Sequence, residues 1–572
     1  MTNGPKFLNS YKQFCIDNKM VMGIGLASGL LTGTTYIPFP PWAILFNFVP
    51  LWWYWMQGTT TRKQILLSGF LTQFILNLIG FHWVFHTAHE FGHIPWPLSF
   101  IVLLLFACLA HLYVPLVGLL FFEIKSKLQL NIKNLPARLF IGLLIILCGL
   151  WCLAEIYWPY IFQWHLGYTL LWGKLPLFHW ADVIGFQGLS LILLLLNALI
   201  VYWIQYAPFF PMKRVSKQVL VKDSTPDSLK VILRRFFQGL AISLSIFALL
   251  NIGGWFHGKN WIENYKPTQS MTFLPIQANI GNSEKIMAER GLGFQDFIVD
   301  RFIQLSEKAV AQHPEAQILV WPESAVPDYL DQEYSNRRRP QKIKNFLAQI
   351  KKGLITGAYS KEFLFHASDK NLNEERSYNS LFALNAEGNL VSPPFRKHQL
   401  LAFGEYTPFA KWFPYLNEIS PAGPGFNAGP GPGLINYGTF KFAPQLCYES
   451  LYPEDSRYSV QLGAQILINL TNDSWFGYYS EPYQHLSMTF ARAIENRRPL
   501  LRVTNTGITS AIDASGNQFQ QSPLYQEWAE PMTLNFEDKP KLTLYTRYGG
   551  FFPLFVLLMT LGGLASVLFQ RK

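Results

Sequence analysis

Residues 441–450, KFAPQLCYES, carry the pattern on which the fold assignment depends. They form a short apolar run typical of a β-strand, which ends at Cys447 and a polar turn. Residues 464–473, AQILINLTND, repeat the pattern, and further strands are predicted at 271–280, 316–324, 352–360 and 378–388, with helices at 293–313 and 485–497. Strands that alternate with helices predict layered α/β packing, for which two sheets sandwiched between helices are one solution.

The rest of the chain is too apolar for soluble domains alone. Hydrophobic residues make up 50% of the 572 residues and charged residues only 15%. A membrane-spanning helix needs about 20 mostly apolar residues, and about eight windows of that kind occur. They cover residues 21–38, 41–56, 65–85, 98–122, 139–157, 184–206, 233–252 and 551–569.

Lysine and arginine between these windows predict their orientation, because short cytoplasmic loops carry these residues. Cationic groups precede the first window, follow the second, surround the connection between the fourth and fifth, and crowd the connection between the sixth and seventh. The loops near residues 38, 90 and 170 hold almost none, and the tail ends in Arg571 and Lys572. Both termini are therefore predicted to be cytoplasmic. The first apolar run lacks a clear cleavage site and is expected to stay as an anchor.

Three regions follow from this pattern. We predict a membrane domain with seven spans at residues 1–257, an extracytoplasmic α/β domain at 258–547, and a final span with a cytoplasmic tail at 548–572. The net charge of +11 is explained by the cytoplasmic loops. Nucleic-acid binding is therefore not expected.

Cys447 is the only cysteine of the α/β domain, since Cys15, Cys108, Cys148 and Cys152 lie in or beside the membrane part. No internal disulfide can therefore stabilise this domain. An unpaired thiol in an oxidising compartment is either buried as a small hydrophobic side chain or used chemically.

Two other motifs compete for a functional role. His89, Glu90 and His93 satisfy the H-E-x-x-H zinc-protease pattern, but Gly92 and Pro95 indicate that the helix ends there, so no metal is expected. Residues 421–433, PAGPGFNAGPGPG, lack the G-K-[ST] ending of a phosphate loop and are predicted to form a mobile loop.

Three predicted strands end near reactive residues: Glu323, Lys397 and Cys447. A carboxylate can take the proton of a thiol, and an ammonium group can lower the thiol pKa and hold a developing oxyanion. In the alternative without a catalytic role, Glu323 caps a turn and Lys397 is a solvent-exposed surface residue.

These residues carry a family resemblance. The blocks WPESAVP, YNSLFAL, FGEYTPF, CYES, NLTNDSWFG and ARAIENRRPLLRVTNTG occur in the order found in the nitrilase, or carbon-nitrogen hydrolase, superfamily. With the predicted spans, the chain from residue 20 to its end resembles the membrane-embedded apolipoprotein N-acyltransferase branch of that superfamily. The resemblance implies an αββα sandwich for the outer domain.

The resemblance also implies roles for individual residues. Glu323 would be the general base, Lys397 the transition-state stabiliser and Cys447 the nucleophile. Supporting roles are implied for Glu405, Tyr448 and Glu449, although Glu449 can alternatively pair with an arginine such as Arg498. Further candidates are Asn379, Asn472 and Trp475. Physically, Glu405 can orient Lys397, and the N–H that follows Cys447 can complete an oxyanion hole.

The implied reaction has two steps and needs no cofactor. Cys447 takes an acyl chain from a membrane phospholipid as a thioester, and the amine of the diacylglyceryl cysteine of an apolipoprotein then accepts it. Such an enzyme lies in the bacterial inner membrane, among membrane lipids, with its catalytic domain on the periplasmic side, and is expected to be a monomer. A membrane-tethered amidase and a non-catalytic lipid- or lipoprotein-binding scaffold remain alternatives.

Two local features bear on the substrate. The apolar segment with Phe409, Trp412 and Phe413 is the candidate lid, because water must be kept from a thioester. Family members often carry an aromatic residue after a lysine near the substrate entrance, whereas Lys285 is followed by Ile286 and Met287. Either lipid selection or the behaviour of the lid is therefore expected to differ here, without a change in the core chemistry.

Overall fold

The computed structural model describes residues 18–128, 135–206, 229–289, 293–365, 373–419 and 425–569. Cys15, the cationic connection at 207–228 and the terminal Arg571 and Lys572 lie outside the described residues. The N-terminal part is helical. Its helices are α1 Lys19–Gly33, α2 Val49–Trp55, α3 Arg62–Gly80, α4 Val84–Glu90, α5 Trp96–Leu109, α6 Tyr113–Lys127, α7 Ala137–Tyr157, α8 Tyr168–Trp172, α9 Ala181–Tyr206 and α10 Leu229–Asn264.

Several of these helices are long and apolar enough to cross a membrane. By length and composition, five helical stretches of the described chain qualify, and a sixth does if α3 and α4, which meet at a bend of 58°, count as one span. The five are Trp96–Lys127, Ala137–Tyr157, Pro176–Tyr206, Lys230–Asn264 and Leu544–Phe569. The predicted multi-span membrane domain is thus confirmed. Its number of spans, five or six by this criterion against about eight predicted, is approximate.

The first two predicted spans differ from the expectation. The first is a helix of 15 residues, α1. The second contains only α2, because residues 42–48 form turns and the helix begins at Val49 with Pro50 in its first turn. Proline favours the first turn of a helix and ends a helix that precedes it, so the prolines between residues 38 and 50 divide this apolar segment.

The α/β domain contains eleven strands in the described residues. They are β1 Gln269–Pro275, β2 Ile318–Val320, β3 Gly353–Phe365, β4 Asn373–Leu384, β5 Phe395–Arg396, β6 Ile435–Tyr437, β7 Phe440–Leu446, β8 Ile466–Thr471, β9 Leu500–Thr504, β10 Ser510–Ile512 and β11 Met532–Phe536. The six predicted strands correspond to β1, β2, β3, β4, β7 and β8.

These strands form two sheets. The first has the order β11-β1-β2-β3-β4-β5 and the second β10-β9-β8-β7-β6. The centre of each sheet is parallel, β1-β2-β3 in the first and β7-β8-β9 in the second. Parallel strands of one sheet end at the same edge of that sheet, so residues that follow β7 and β8 lie near each other. Residues that follow β2 lie at an edge of the first sheet and can meet them where the two sheets pack together.

Helices cover both sheets, as the sandwich requires. They are α11 Asn282–Glu289, α12 Gln295–Gln312, α13 Arg338–Ile350, α14 Leu416–Ile419, α15 Pro453–Gln461 and α16 Glu481–Asn496. Phe302 of α12 and Phe346 of α13 pack on Trp321 beside the first sheet. Apolar residues of the two sheets, such as Phe273 and Phe442, pack between them. The αββα sandwich expected from the resemblance is present.

Helix α16 lies between the second sheet and the membrane domain. Every residue of α16 except Tyr483 is buried. Gln484 donates to the carbonyl oxygens of Ile37 and Gly80, both at 2.8 Å, and accepts from Trp83 Nε1 at 3.1 Å. Its buried charges are paired, as burial requires: Arg492 contacts Glu495 of the same helix at 3.2 Å. Helix α16, in the outer helical layer of the sandwich, therefore lies between the second sheet and the membrane helices.

The chain then returns to the membrane part. Helices α17 Leu544–Tyr548 and α18 Phe552–Phe569 follow β11. Helix α10 continues to Asn264 and so crosses the predicted boundary at residue 258. The exact domain boundaries stay a prediction.

Candidate active site

The three reactive residues singled out in the sequence follow three different strands. Glu323 follows β2 within three residues, Lys397 follows β5 directly, and Cys447 follows β7 directly. Their exposed fractions are 6%, 1% and 6%, so each is buried. Glu323 and Lys397 come from the first sheet and Cys447 from the second, so the site lies at the edge where the two sheets meet.

Lys397 is the centre of a buried hydrogen-bonded ring. Its Nζ lies 3.1 Å from Glu323 Oε1 and 2.7 Å from Glu405 Oε2. Asn379 closes the ring, because its Nδ2 donates to Glu323 Oε1 at 2.9 Å and to Glu405 Oε1 at 2.8 Å. An ammonium group has three N–H donors, so one remains for another acceptor. The expected pairing of Glu405 with Lys397 is present, and the solvated-surface interpretation of Lys397 is wrong.

The second carboxylate oxygen of Glu323 is also occupied. Asn472, just after β8, donates its backbone N–H to Glu323 Oε2 at 3.1 Å, and its side-chain oxygen accepts from Asn505 at 3.1 Å. Lys285 of α11 donates to the backbone carbonyl oxygen of Glu323 at 3.2 Å. Both asparagines predicted as further candidates thus contact Glu323 directly.

Burial and charge set the protonation of this group. Burial would lower the pKa of Lys397, but Glu323 and Glu405 outweigh it and hold that pKa well above its usual range. Burial raises the pKa of Glu323, against the opposing effect of Lys397. Burial and the negative charge of Glu323 raise the pKa of the Cys447 thiol well above normal, although Lys397 opposes them. At neutral pH the thiol therefore keeps its proton, and a base must remove it during attack.

The backbone at Cys447 is strained. Its φ of +51° lies in the left-handed region, which is uncommon for a residue with a side chain. The carbonyl oxygen of Cys447 accepts hydrogen bonds from Ser450 Oγ at 3.2 Å and Asn469 Nδ2 at 3.1 Å, and lies 3.3 Å from His485 Nε2. These contacts hold the turn that presents the thiol.

The two residues after the thiol are held from different sides. Glu449 accepts backbone N–H groups of Leu446 at 2.8 Å and His398 at 2.8 Å, so it braces the turn to the segment that follows Lys397. The alternative pairing with Arg498 is wrong, because Arg498 donates to backbone carbonyl oxygens instead. The Tyr448 hydroxyl donates to Glu481, and its ring packs against Phe162 of the membrane part, with ring centroids 5.3 Å apart.

Trp475 and the H-E-x-x-H segment lie beside the site rather than in the ring. The Trp475 ring packs edge-on against Phe91 at 4.7 Å. Helix α4 ends at Glu90, as its sequence predicts, and His93 follows it with a φ of +50°. His89 stacks on Trp96 at 3.8 Å, so this segment serves aromatic packing.

The described part of the glycine-rich segment, residues 425–433, contains no helix or strand, as the loop prediction requires, and its mobility stays a prediction. Residues 421–424 lie outside the described residues, but the following residues contact the site. Phe426 donates its N–H to the carbonyl oxygen of Glu405, and Gly429 donates to that of Lys397, both at 2.8 Å. A Cβ at Gly429 would lie 2.2 Å from the Arg396 carbonyl oxygen, so glycine is needed for this close approach.

The lid candidates are exposed. Phe409, Trp412 and Phe413 are 64%, 71% and 52% exposed. Met287, the second residue after Lys285, is also exposed, whereas Lys285 is buried against the Glu323 turn.

Sequence reasoning missed a second buried polar group behind Cys447. His485 and Glu481 of α16, Asp473 after β8 and Arg502 of β9 form it. Arg502 contacts Asp473 at 2.6 Å, and Asp473 contacts His485 at 3.2 Å. The i, i+4 spacing of Glu481 and His485 places both on one face of α16, but the helix predicted at 485–497 did not include Glu481.

Comparisons with known proteins identify the family. The family model "Carbon-nitrogen hydrolase" matches residues 278–543, and "Apolipoprotein N-acyltransferase N-terminal domain" matches residues 28–199. The apolipoprotein N-acyltransferase of Bdellovibrio bacteriovorus is 41% identical, covering 94% of this chain and 92% of that protein. Those of Geobacter metallireducens and Shewanella oneidensis are 30% and 27% identical and cover 90% and 87% of this chain, and 89% and 86% of their own length.

The sequence resemblance is confirmed by these matches, which extend over both the helical part and the α/β domain. With its apolar helices and its carbon-nitrogen hydrolase domain, this chain belongs to the apolipoprotein N-acyltransferase family of membrane proteins.

Proposed function

We propose that this protein transfers an acyl chain from a membrane phospholipid to the N-terminal amine of the diacylglyceryl cysteine of apolipoproteins, the last step of lipoprotein maturation. The observation that carries this proposal is the buried ring of Glu323, Lys397, Glu405 and Asn379 beside the thiol of Cys447. Full-length relatives named apolipoprotein N-acyltransferase support the same activity.

In the first step, Cys447 attacks the ester carbonyl carbon of the phospholipid. Glu323 takes the thiol proton as the carbon–sulfur bond forms, and the free N–H of Lys397 and the backbone N–H of Tyr448 hold the oxyanion. The carbon–oxygen bond then breaks, and the leaving alkoxide takes the proton from Glu323. A thioester on Cys447 and a lysophospholipid result.

In the second step, the acceptor amine attacks the thioester. Glu323 now takes a proton from the amine, and the same two donors hold the oxyanion. The carbon–sulfur bond breaks and the thiolate regains its proton from Glu323, which leaves the amide product and the resting enzyme. Atoms and protons balance over the cycle, so no cofactor is required.

The position of the thiol favours a lipid-linked substrate over a small soluble amide. Tyr448, next to Cys447, packs on Phe162 in the segment between α7 and α8. Phe162 also packs on Trp83 between α3 and α4, at 4.7 Å. The reactive turn is thus in contact with the membrane part. A soluble amidase would have no need of such contacts.

Mass spectrometry tests this function. Purified protein is incubated with phospholipid vesicles, and the intact masses of wild type and Cys447→Ser are compared. A hydroxylamine-sensitive gain of one acyl chain in wild type alone is expected, and its loss on adding a diacylglyceryl-cysteine peptide would identify the acceptor. An unmodified wild type whose Cys447 still reacts with a thiol reagent would contradict the proposal. Hydrolysis of small amides by that protein would favour an amidase, and its absence a scaffold.

We further propose that the exposed segment around Phe409, Trp412 and Phe413 is a lid that rests at the membrane interface and shields the thioester from water. Trp412→Glu is expected to increase hydrolysis of the acyl-enzyme or to abolish turnover, because a charge opposes apolar burial. Leu462→Glu, at another exposed apolar site of the same domain, is the control. Equal hydrolysis and turnover in Trp412→Glu and wild type would exclude the lid.

The orientation proposed places both termini in the cytoplasm and the catalytic domain on the periplasmic side of the inner membrane, with the protein acting as a monomer. The distribution of lysine and arginine supports this orientation. Cysteines introduced at exposed sites of the α/β domain are expected to react with an impermeant thiol reagent in spheroplasts. Protection of all of them would mean that the domain faces the cytoplasm.

Mass photometry in detergent tests whether the protein is a monomer, and a main species at twice the chain mass would exclude the monomer.

A further inference from the structure

We propose that His398 is a positioning residue, which locks the segment that carries Lys397 to the turn that carries Cys447. Its imidazole ring does so from between two carboxylates, those of Glu449 and Asp455. The inference rests on the proposed function, in which the ammonium group and the thiol act together on one carbonyl group. His398 touches neither the substrate nor the reacting atoms and acts through the two groups that do.

The two segments belong to different sheets. Lys397 follows β5, the end strand of the first sheet, and Cys447 follows β7 in the second sheet. Strand pairing fixes distances within a sheet, whereas side-chain contacts fix how two packed sheets lie against each other. Because a displacement of about 1 Å can cost about 100-fold in rate, contacts that set the distance between the ammonium group and the thiol affect catalysis.

Glu449 makes one such connection. Its Oε2 accepts the backbone N–H of Leu446, the residue before the thiol, at 2.8 Å. Its Oε1 accepts the backbone N–H groups of His398 at 2.8 Å and of Gln399 at 3.3 Å. One carboxylate thus bonds to both segments. Its side chain is only 1% exposed, and a buried negative charge needs a positive one beside it.

His398 supplies that positive charge. Its Nδ1 lies 2.8 Å from Glu449 Oε1, an ionic contact without the alignment of a hydrogen bond. Its Nε2 lies 2.9 Å from Oδ2 of Asp455, in the first turn of α15, and this contact is a hydrogen bond. A neutral imidazole has one N–H and would turn a lone pair toward one of the two carboxylates, whereas an imidazolium presents a proton to each. The geometry therefore favours the charged ring.

The pKa of the ring agrees with this geometry. Burial would lower the pKa of His398, but Asp455 and Glu449 outweigh it and raise that pKa to about 10. These two carboxylates are the charged side chains that contact the ring among the described residues, and Lys397 is its neighbour in the chain. The ring is therefore charged at neutral pH. It loses its charge, and with it the compensation of Glu449, as the pH rises through about 10.

Three substitutions change the charge of this bridge in different ways. His398→Gln keeps a hydrogen-bonding side chain without the charge, and we expect it to slow single-turnover acylation by at least about tenfold. His398→Arg keeps a cation that can contact two carboxylates and does not deprotonate in this range, so the rate should recover and its fall at high pH should disappear. Asp455→Asn removes one carboxylate and should move the fall to lower pH, because the pKa of His398 is then raised less.

The experiment measures the lysophospholipid released in the first turnover, using full-length protein in phospholipid vesicles. The pH is varied from neutral to one unit above the pKa of His398, and Cys447→Ser gives the blank for uncatalysed hydrolysis. In wild type the rate should fall near pH 10. Thermal unfolding at neutral pH shows that each variant is folded.

His313→Gln is the matched control. The ring of His313 also lies between two carboxylates, with Glu315 at 3.5 Å and Glu530 at 3.6 Å. It precedes β2, however, whereas Glu323 follows that strand. The rate of His313→Gln and its pH profile should therefore match those of wild type.

Four results would overturn the inference. They are a wild-type rate that stays constant throughout this range, a wild-type rate in His398→Gln, equal losses in the Gln and Arg variants when both are folded, and an unchanged pH profile in Asp455→Asn. The last result decides the question even if His398→Arg does not fold. Failure of the proposed function looks different: wild type would release no lysophospholipid at any pH, although its Cys447 still reacts with a thiol reagent.

Discussion

At the residue scale, the main feature is a cation shared by a buried carboxylate, Glu323, and a half-buried one, Glu405, next to a protonated thiol. Glu323 and Glu405 keep Lys397 charged, and Lys397 in turn makes their burial tolerable. The sequence identified all three residues through the motifs of the resemblance, although strand β5, which precedes Lys397, was not among the predicted strands. It could not show that Asn379 bridges both carboxylates, since this depends on the pairing of β3, β4 and β5.

The pH dependence of acylation follows from these pKa shifts. Glu323 must be ionised to act as a base, and its pKa is raised mainly by burial. The acylation rate is therefore expected to fall, as the pH is lowered, at a pH above 4.5, the ordinary value for glutamate. Lys397 has a pKa well above 10.5, so its deprotonation should cause no loss up to that pH. Single-turnover acylation at a series of pH values measures both limits, and a rate that stays constant down to pH 4.5 would contradict the base role.

Lys397→Met tests the mutual dependence of the buried charges. Removing the cation leaves both carboxylates unpaired, which should cost about 3–5 kcal/mol of stability and abolish acylation. The double variant Lys397→Met/Glu405→Gln has one negative charge fewer and should regain part of the stability but no acylation, because the oxyanion donor is still missing. Thermal unfolding in detergent and intact mass measure the two effects. Equal stability of single and double variants would show that the carboxylates are not coupled through Lys397.

At the element scale, short segments after strands build the site, and the sheets fix where these segments meet. Strand β3 passes directly behind the turn that carries Glu323: a Cβ at Gly357 would lie 2.6 Å from Glu323 Cα. The order of strands in the first sheet, with β3 beside β2, creates this contact. A strand pattern in the sequence predicts β3 itself but not which turn it supports.

Gly357→Ala tests this support. The added methyl group must displace the backbone of the Glu323 turn, so we expect acylation to fall by at least about tenfold, since 1 Å misplacement of a reacting group has a large effect on rate. Gly433→Ala is the matched control, because a Cβ there meets no atom of the described residues within 4 Å. Full activity of Gly357→Ala would mean that the turn can shift without harm.

At the scale of the whole molecule, α16 joins three parts: the second sheet, the reactive turn and the membrane helices. Two successive residues of α16 make these contacts. Gln484 donates hydrogen bonds to the membrane part, and His485 Nε2 lies 3.3 Å from the carbonyl oxygen of Cys447. The sequence predicted this helix but assigned it no partner. An amphipathic pattern shows that a helix buries one face, whereas α16 buries nearly all of its surface against two different domains.

Gln484→Met tests the junction of the two domains. The variant keeps the volume but leaves the carbonyl oxygens of Ile37 and Gly80 and the indole N–H of Trp83 without their partner. Unpaired buried polar groups cost about 1–3 kcal/mol each, so a lower apparent Tm in detergent is expected. Ser487→Ala on the same helix is the control, because its buried hydroxyl group has no hydrogen-bond partner among the described residues. An unchanged Tm would show that the junction does not depend on Gln484.

The sequence by itself determined the membrane character and the layered α/β packing, and its motif order indicated the family, the αββα sandwich and the candidate site residues, because apolar length, strand periodicity and motif order are local properties of the chain. Only the tertiary structure decided which of these residues touch. The ring around Lys397, the hydrogen bond from Asn469 to the Cys447 carbonyl oxygen and the double burial of α16 join segments far apart in sequence. Such contacts depend on strand order and sheet packing, which local patterns do not encode.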